Sequence, residues 1–131
     1  MADDFKYHKF LQPLVDEDVR FILEREKVYQ SSWKKSGGRS AYFMLARKMD
    51  RLINMMNKKP KDFYEATIQH DIFAKISDDP SGNDGTVLAE IRDLRRYLIM
   101  VESEMMSQGV VELPFVWEKD DENLHATQDD D

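Results

Sequence analysis

Residues 86–108, TVLAEIRDLRRYLIMVESEMMSQ, decide the fold of this chain. Val87, Ile91, Leu94, Tyr97, Leu98, Val101 and Met105 recur at helical spacing, which at about 100° per residue sets them on one stripe. Gly109 follows as a stop signal, so the stretch predicts one long helix. Glu90 falls on that stripe, and Asp93 lies one step round from it. The stripe cannot be buried without carrying Glu90 inward. A buried carboxylate is costly unless it meets a cation, a metal or a hydrogen-bond donor.

Upstream, a second acid is out of place in the same way. Glu26 sits in the stripe Val15, Val19, Ile22, Leu23, Tyr29 of a helix expected over residues 16–30. The opening Asp16-Glu17-Asp18 suits the positive end of a helix dipole. Residues 1–15 read as a lead-in anchored by Phe5, Tyr7, Phe10 and Leu11 and interrupted by Pro13. The serines and paired glycines of SSWKKSGGRS (31–40) mark a loop. Ser40 suits the N-cap of a second helix over 41–57. Its apolar arc (Ala41, Tyr42, Leu45, Met49, Leu52, Ile53, Met56, with Met44 and Met55 beside them) is too wide for a surface helix and predicts a helix that is largely buried, a partner subunit being one way to cover it. Lys48 lies inside this arc and Arg51 borders it.

Pro60 breaks the pattern, and residues 62–76 predict a shorter third helix. SDDPSGNDG (77–85) is a loop, rich in residues that turn the chain. VVELPFVW (110–117) reads as a short extended segment packed on the helices. No internal repeat interrupts this order. The expected architecture is all-α, an antiparallel helical bundle with one domain over 1–117 and a disordered acidic tail over 118–131.

With 131 residues, the chain is long enough for one domain with a core. Cysteine is absent, which removes disulfides and thiolate metal sites and suits a reducing cytoplasm. No apolar run approaches the ~20 residues of a membrane span, and MADDFKYHKF lacks the apolar core of a signal peptide. The net charge of −7 is unevenly spread. Residues 118–131 hold seven acids and one lysine, a net of −6. Residues 20–61 hold twelve Lys or Arg against Glu24, Glu26 and Asp50, a net of +9. Such a basic block permits binding of nucleotides, nucleic acid or an acidic partner, and is also what solvated helix faces produce.

Three constellations could carry chemistry. Glu90 and Asp93 share a helix face at i, i+3, a spacing that can hold one hard divalent ion or form salt bridges to Arg47 or Arg51. Tyr97, one turn further, could hydrogen-bond a base or ribose. Glu26 could pair with Lys48 or Arg51, ligate a metal, or accept from a nucleobase amino group. Trp33-Lys34-Lys35-Ser36-Gly37-Gly38-Arg39-Ser40 leads into a helix N-terminus, where glycines, free N–H groups and Lys34, Lys35 and Arg39 favour phosphate while Trp33 offers a stacking face. The Walker spacing is missing. His8, His70 and His125 are scattered, without zinc-site spacing, and no nucleophile elbow occurs. The basic residues interleave with core positions instead of forming an outward stripe, which argues against direct nucleic-acid binding.

Three blocks carry a family resemblance: Tyr29-Gln-Ser-Ser-Trp33-Lys34-Lys35-Ser-Gly37-Gly38, Leu45-Ala-Arg-Lys48-Met-Asp50-Arg51-Leu52, and Glu90-Ile-Arg-Asp93-Leu-Arg-Arg-Tyr97-Leu98. In residues and spacing the chain resembles, over about residues 19–105, the phage-encoded nucleotide-modification-associated helical family, a branch similar to the all-α MazG-like NTP pyrophosphohydrolases. The resemblance implies an oligomerising bundle with a nucleotide site between helices. It also implies Mg²⁺ held by an ExxE and an ExxD, the second of which maps onto Glu90 and Asp93. The ExxE has no counterpart: Arg47-Lys48-Met-Asp50 stands at that place, exchanging anionic ligands for cations suited to gripping phosphate.

Three functions follow as expectations. The first is a nucleotide-binding protein in which Lys34, Lys35, Arg39, Lys48 and Arg51 hold phosphate and Glu26, Glu90, Asp93 and Tyr97 orient base, sugar or an ion. It would act in phage nucleotide metabolism or sequester a nucleotide signal of host immunity. The second is a Mg²⁺-dependent (d)NTP pyrophosphohydrolase with Glu90, Asp93 and Glu26 around the metal and Asp50 as a fourth acid. The third is an inhibitor of a host factor that works through protein contacts and the acidic tail.

Overall fold

Five α-helices and no strand make up residues 2–112, the part of the chain that the computed structural model describes. The segment 113–131, with most of VVELPFVW and all of the expected tail, lies outside these residues. By internal contacts the chain divides into residues 1–101 and 102–131. Every site residue discussed below belongs to the first unit. No helix among the described residues is long and apolar enough to cross a membrane.

A 3-10 segment, Ala2–Phe10, runs into helix α1, Leu11–Tyr29. The helix starts five residues earlier than expected. Pro13 falls in its first turn, where the missing N–H would have had no helical partner anyway. Asp16, Glu17 and Asp18 consequently stand in the second turn, away from the helix N-terminus.

Helix α1 ends at two successive residues in the left-handed region, Gln30 (φ 49°) and Ser31 (φ 64°), neither of them glycine. A single 3-10 turn, Ser32–Lys34, then carries Trp33 inward, and α2 follows over Gly38–Met56.

Helix α2 also begins before its expected start. Gly37 (φ 74°) takes the cap position, and Ser40 becomes an internal residue whose hydroxyl donates to the Gly37 carbonyl at 3.0 Å. The third expected helix is two: α3, Phe63–Ile68, and α4, Ile72–Asp78. Asp62 and Asp71 explain the break, because each accepts a hydrogen bond from the amide three residues on, Glu65 N at 2.8 Å and Ala74 N at 3.1 Å. Asp71 as an N-cap competes with continuation of α3, and His70 turns the chain at φ 70°.

Helix α5, Val87–Ser107, matches the expected long helix. Thr86 caps it by accepting from Ala89 N at 3.2 Å. Gly109 (φ 74°) closes it, with Gly109 N donating to Met106 O and Val110 N to Met105 O, both at 3.0 Å. These two bonds satisfy carbonyls that a bare helix end would leave open.

Burial is where the chain departs furthest from its periodicity. Val15 and Val19 are each 48 % exposed and Leu23 61 %, so of the expected apolar stripe of α1 these three face away from the interior while Ile22 stays inward. Tyr42, Phe43, Met49 and Ile53 of α2 are exposed as well. Asp18 (0 % exposed), Glu90 (1 %) and Arg96 (7 %) are buried in their place. The inward face of α1 runs through Asp18, Phe21, Ile22 and Glu26. Ions therefore join α1 and α2 to α5.

Candidate functional site

Asp18 is the anchor between α1 and α5. Arg95 Nη2 donates to its Oδ1 at 2.8 Å, Arg95 Nε donates to Oδ2, and Arg96 Nε donates to Oδ1 at 2.9 Å. Arg96 Nη2 also reaches Glu17 Oε1 at 3.3 Å, and its guanidinium lies 3.8 Å from the centroid of the Phe21 ring. Burial alone raises the pKa of Asp18. The hydrogen bonds and positive charge of Arg95 and Arg96 outweigh it and hold the carboxyl below the ordinary range. Donating to Asp18, against the opposing effect of burial, raises Arg95 above an already high value.

A second set of ions joins α2 to α5. Lys48 Nζ stands 3.0 Å from Asp93 Oδ2 and 3.9 Å from Glu90 Oε2, and Arg51 Nε stands 2.9 Å from Glu90 Oε1. The i, i+3 carboxylates of α5 are thus met by the i, i+3 cations of α2. Glu90 Oε2 is buried and receives no hydrogen bond among the described residues. Such an acceptor costs on the order of 1–3 kcal/mol until a donor reaches it.

Between these ion sets lies a cleft with two lobes. One, of about 290 Å³, is lined by Phe21, Tyr29, Trp33 and Tyr97 with Met44, Met100 and Glu26. The other, of about 530 Å³, is lined by Arg51, Arg92, Glu17, Asp84 and Glu90. Phe21, Arg25, Lys48, Asp93 and Arg96 border both lobes, so Lys48 and Asp93 stand where the two meet. Arg25 extends over the rings of Phe21 and Tyr29, 5.3 and 4.7 Å from their centroids. Gly82 (φ 71°) lets the loop before α5 lie against Arg92, since a Cβ there would come 2.5 Å from Arg92 Nη1.

The aromatic lobe owes its shape to the end of α1. Glu26 accepts a hydrogen bond from the Ser31 hydroxyl at 2.9 Å, and its backbone carbonyl accepts from Gln30 N at 3.1 Å. Both bonds brace the left-handed pair that precedes buried Trp33. Left-handed backbone at residues with a Cβ costs on the order of 1 kcal/mol or more each, and it persists where surrounding contacts enforce it.

Of the residues singled out from sequence, Glu26, Trp33, Lys48, Arg51, Glu90, Asp93 and Tyr97 all line the cleft. Lys34, Lys35, Arg39 and Asp50 do not line either lobe. Lys35, Arg39 and Asp50 are exposed and Lys34 is half-buried. The amides expected to receive phosphate are partly used within the loop: Ser36 N donates to Ser40 Oγ at 3.1 Å and Gly37 N to Lys34 O at 2.8 Å. Glu26 pairs with neither Lys48 nor Arg51. Among the described residues no group of three or more Asp, Glu or His side chains is placed to hold a metal ion.

Asp18, Arg25, Arg92, Arg95 and Arg96 were not among the expected site residues. A signal for two of them was present: Arg95-Arg96 sits between Leu94 and Tyr97, inside the stripe taken as apolar, and two adjacent guanidiniums there need an acid. Asp18, one turn before Ile22 and two before Glu26, is the acid whose helix spacing fits. Compared with known protein families, with curated proteins and with solved structures, the chain matches none.

Proposed function

We propose that this protein binds a nucleotide in the two-lobed cleft, with the base in the aromatic lobe and the phosphates in the charged one. The observation that carries the reading is the sorting of side chains: Tyr29, Trp33, Tyr97, Met44 and Met100 line one lobe alone, Arg51 and Arg92 line the other alone, and Phe21, Arg25 and Arg96 border both. Aromatic faces accept stacked bases, and guanidiniums match phosphate oxygens in pairs. In this reading Lys48, Arg51, Arg92 and Arg96 hold phosphate, and Trp33 and Tyr97 contact the base. Asp93 orients the sugar, and Glu90 Oε2 accepts from a hydroxyl or water of the bound ligand. The helical order then serves a MazG-like bundle used for binding, either in phage nucleotide metabolism or to sequester a nucleotide signal of host immunity.

A resident Mg²⁺ fits the α5 carboxylates poorly, because Lys48 and Arg51 already neutralise both. One observation favours a metal-dependent pyrophosphohydrolase as the competing reading: Glu90 retains an open acceptor three residues from Asp93. Titration calorimetry against NTPs and dNTPs, with pyrophosphate release followed in parallel, separates the two. Binding without turnover is expected. Turnover that disappears in Glu90→Ala and Asp93→Ala selects the hydrolase, and absence of heat with every nucleotide removes the binding reading.

We also propose that a second copy of the chain covers the exposed apolar faces. Leu11, Val15, Val19 and Leu23 repeat every four residues along α1 and are all exposed, as are Tyr42, Phe43, Met49 and Ile53 on α2. Among the described residues the buried apolar side chains are Trp33, Ala41, Ile68 and Ala89, a small core for those residues. Contiguous exposed apolar faces of this kind mark interaction surfaces. Light scattering should give a multiple of the chain mass, and a monomer at micromolar concentration would refute the assignment.

A further inference from the structure

The aromatic lobe has two carboxylates in its wall, Asp93 and Glu26. Asp93 is taken by Lys48 at 3.0 Å. Glu26 differs: it is half-buried, no Lys or Arg pairs with it among the described residues, and its one side-chain hydrogen bond is from the Ser31 hydroxyl to Oε2. An ionised carboxylate is acceptor-only, with about four lone-pair sites over its two oxygens. One is used by Ser31. The others accept no hydrogen bond among the described residues, and Glu26 lines the lobe beside Trp33, Tyr29 and Tyr97.

We propose that Glu26 selects the base of the bound nucleotide and that the base is guanine. This rests on the cleft being a nucleotide site. Guanine presents two adjacent donors on its Watson–Crick edge, N1–H and the N2 amino group, which match both oxygens of one carboxylate. Adenine and cytosine each present an amino donor beside a ring-nitrogen acceptor, so one carboxylate oxygen meets a donor and the other meets a lone pair. Uracil and thymine flank their single N3–H with two carbonyls. Hypoxanthine keeps N1–H and lacks the amino group, and so ranks between guanine and the rest. A good bidentate pair discriminates by about 10- to 100-fold.

The Ser31 hydroxyl bond helps brace the Gln30–Ser31 turn, which sets Trp33 in the wall. A change that kept the turn and altered only the acceptor pattern would isolate base selection. Glu26→Gln does this, since its carbonyl oxygen still accepts from Ser31 while its amide now donates.

The experiment is calorimetry of the full chain with GTP, ITP, ATP, CTP and UTP, repeated on Glu26→Gln after its melting temperature is checked. For the wild type, GTP is expected to bind about 10- to 100-fold more tightly than ATP, with ITP between them. In Glu26→Gln the preference for GTP should collapse and ATP or CTP should gain. Equal affinity for all five, or a GTP preference unchanged in Glu26→Gln, overturns the assignment and leaves the nucleotide site standing. Should Glu26→Gln not fold, the wild-type ranking of GTP, ITP and ATP decides alone. If none of the five binds, the site reading fails and this inference with it.

Discussion

Replacing Asp18 by alanine should lower the unfolding free energy by about 3 kcal/mol, the cost of stripping one partner from a buried ion set. Asp18 is fully buried and accepts from both Arg95 and Arg96. Without it Arg96, itself 7 % exposed, keeps among the described residues Glu17 and the face of Phe21. Urea denaturation of the wild type and the variant measures this directly, and a difference under 1 kcal/mol would show that the pair holds little of the fold. The same group predicts an acid limb. Its folded pKa lies below the ordinary 3.8, so the unfolded chain takes up the proton first. The contribution is complete above the ordinary carboxylate range and is lost as pH falls through 3.8 and below. In Asp18→Asn that part of the acid loss should vanish. Arg96 borders both lobes, so Asp18→Ala should also weaken nucleotide binding without removing any residue of the cleft wall.

Replacing Lys48 by methionine should reduce nucleotide affinity by about 10- to 100-fold, the range expected on losing a charge-assisted contact to phosphate. Methionine keeps most of the stem, so the loss reports the ammonium. Lys48→Arg, which retains the charge, should recover part of it. Lys48→Met also leaves Asp93 without its cation and Glu90 with Arg51 alone, so a stability loss of about 1–3 kcal/mol should accompany it. The two readings of the site diverge sharply here. If the α5 carboxylates serve a metal, removing the ammonium frees Asp93 and leaves Glu90 with Arg51 alone, and Mg²⁺ affinity and pyrophosphate release should rise. If they hold the cations that grip phosphate, binding falls and no turnover emerges. Calorimetry and the release assay on one protein preparation distinguish these results.

The extents of the helices were largely legible because they depend on neighbours within one turn. Asp62, Thr86 and Gly109 act through bonds to residues three to five positions away, and such signals survive in any short window of sequence. Legibility failed where two local signals compete. Pro13 reads as a break and yet sits in a first turn. The segment 62–76 reads as one helix and is split by the second cap at Asp71. Of the candidate site, Glu90 and Lys48 could be found because each is a charge on an apolar stripe, and Asp93 and Arg51 because each borders one. Lys35 and Arg39 were expected there for the charge of their loop, and charge density alone says nothing about where a loop points.

The helical nature of the chain and the presence of ions at its centre are properties of the sequence itself, written in the period of its apolar residues and in the acids that interrupt it. Only the tertiary structure decided which acid meets which base. Asp18 is 77 residues from Arg95, and Lys48 is 45 from Asp93. It also turned α1, so that Val15, Val19 and Leu23 face outward and Asp18 inward. The physical reason is that a local period describes a helix face without saying what that face meets. In α1 the guanidiniums of half-buried Arg95 and buried Arg96 claimed the polar face, because an unpaired buried charge costs more than an exposed valine.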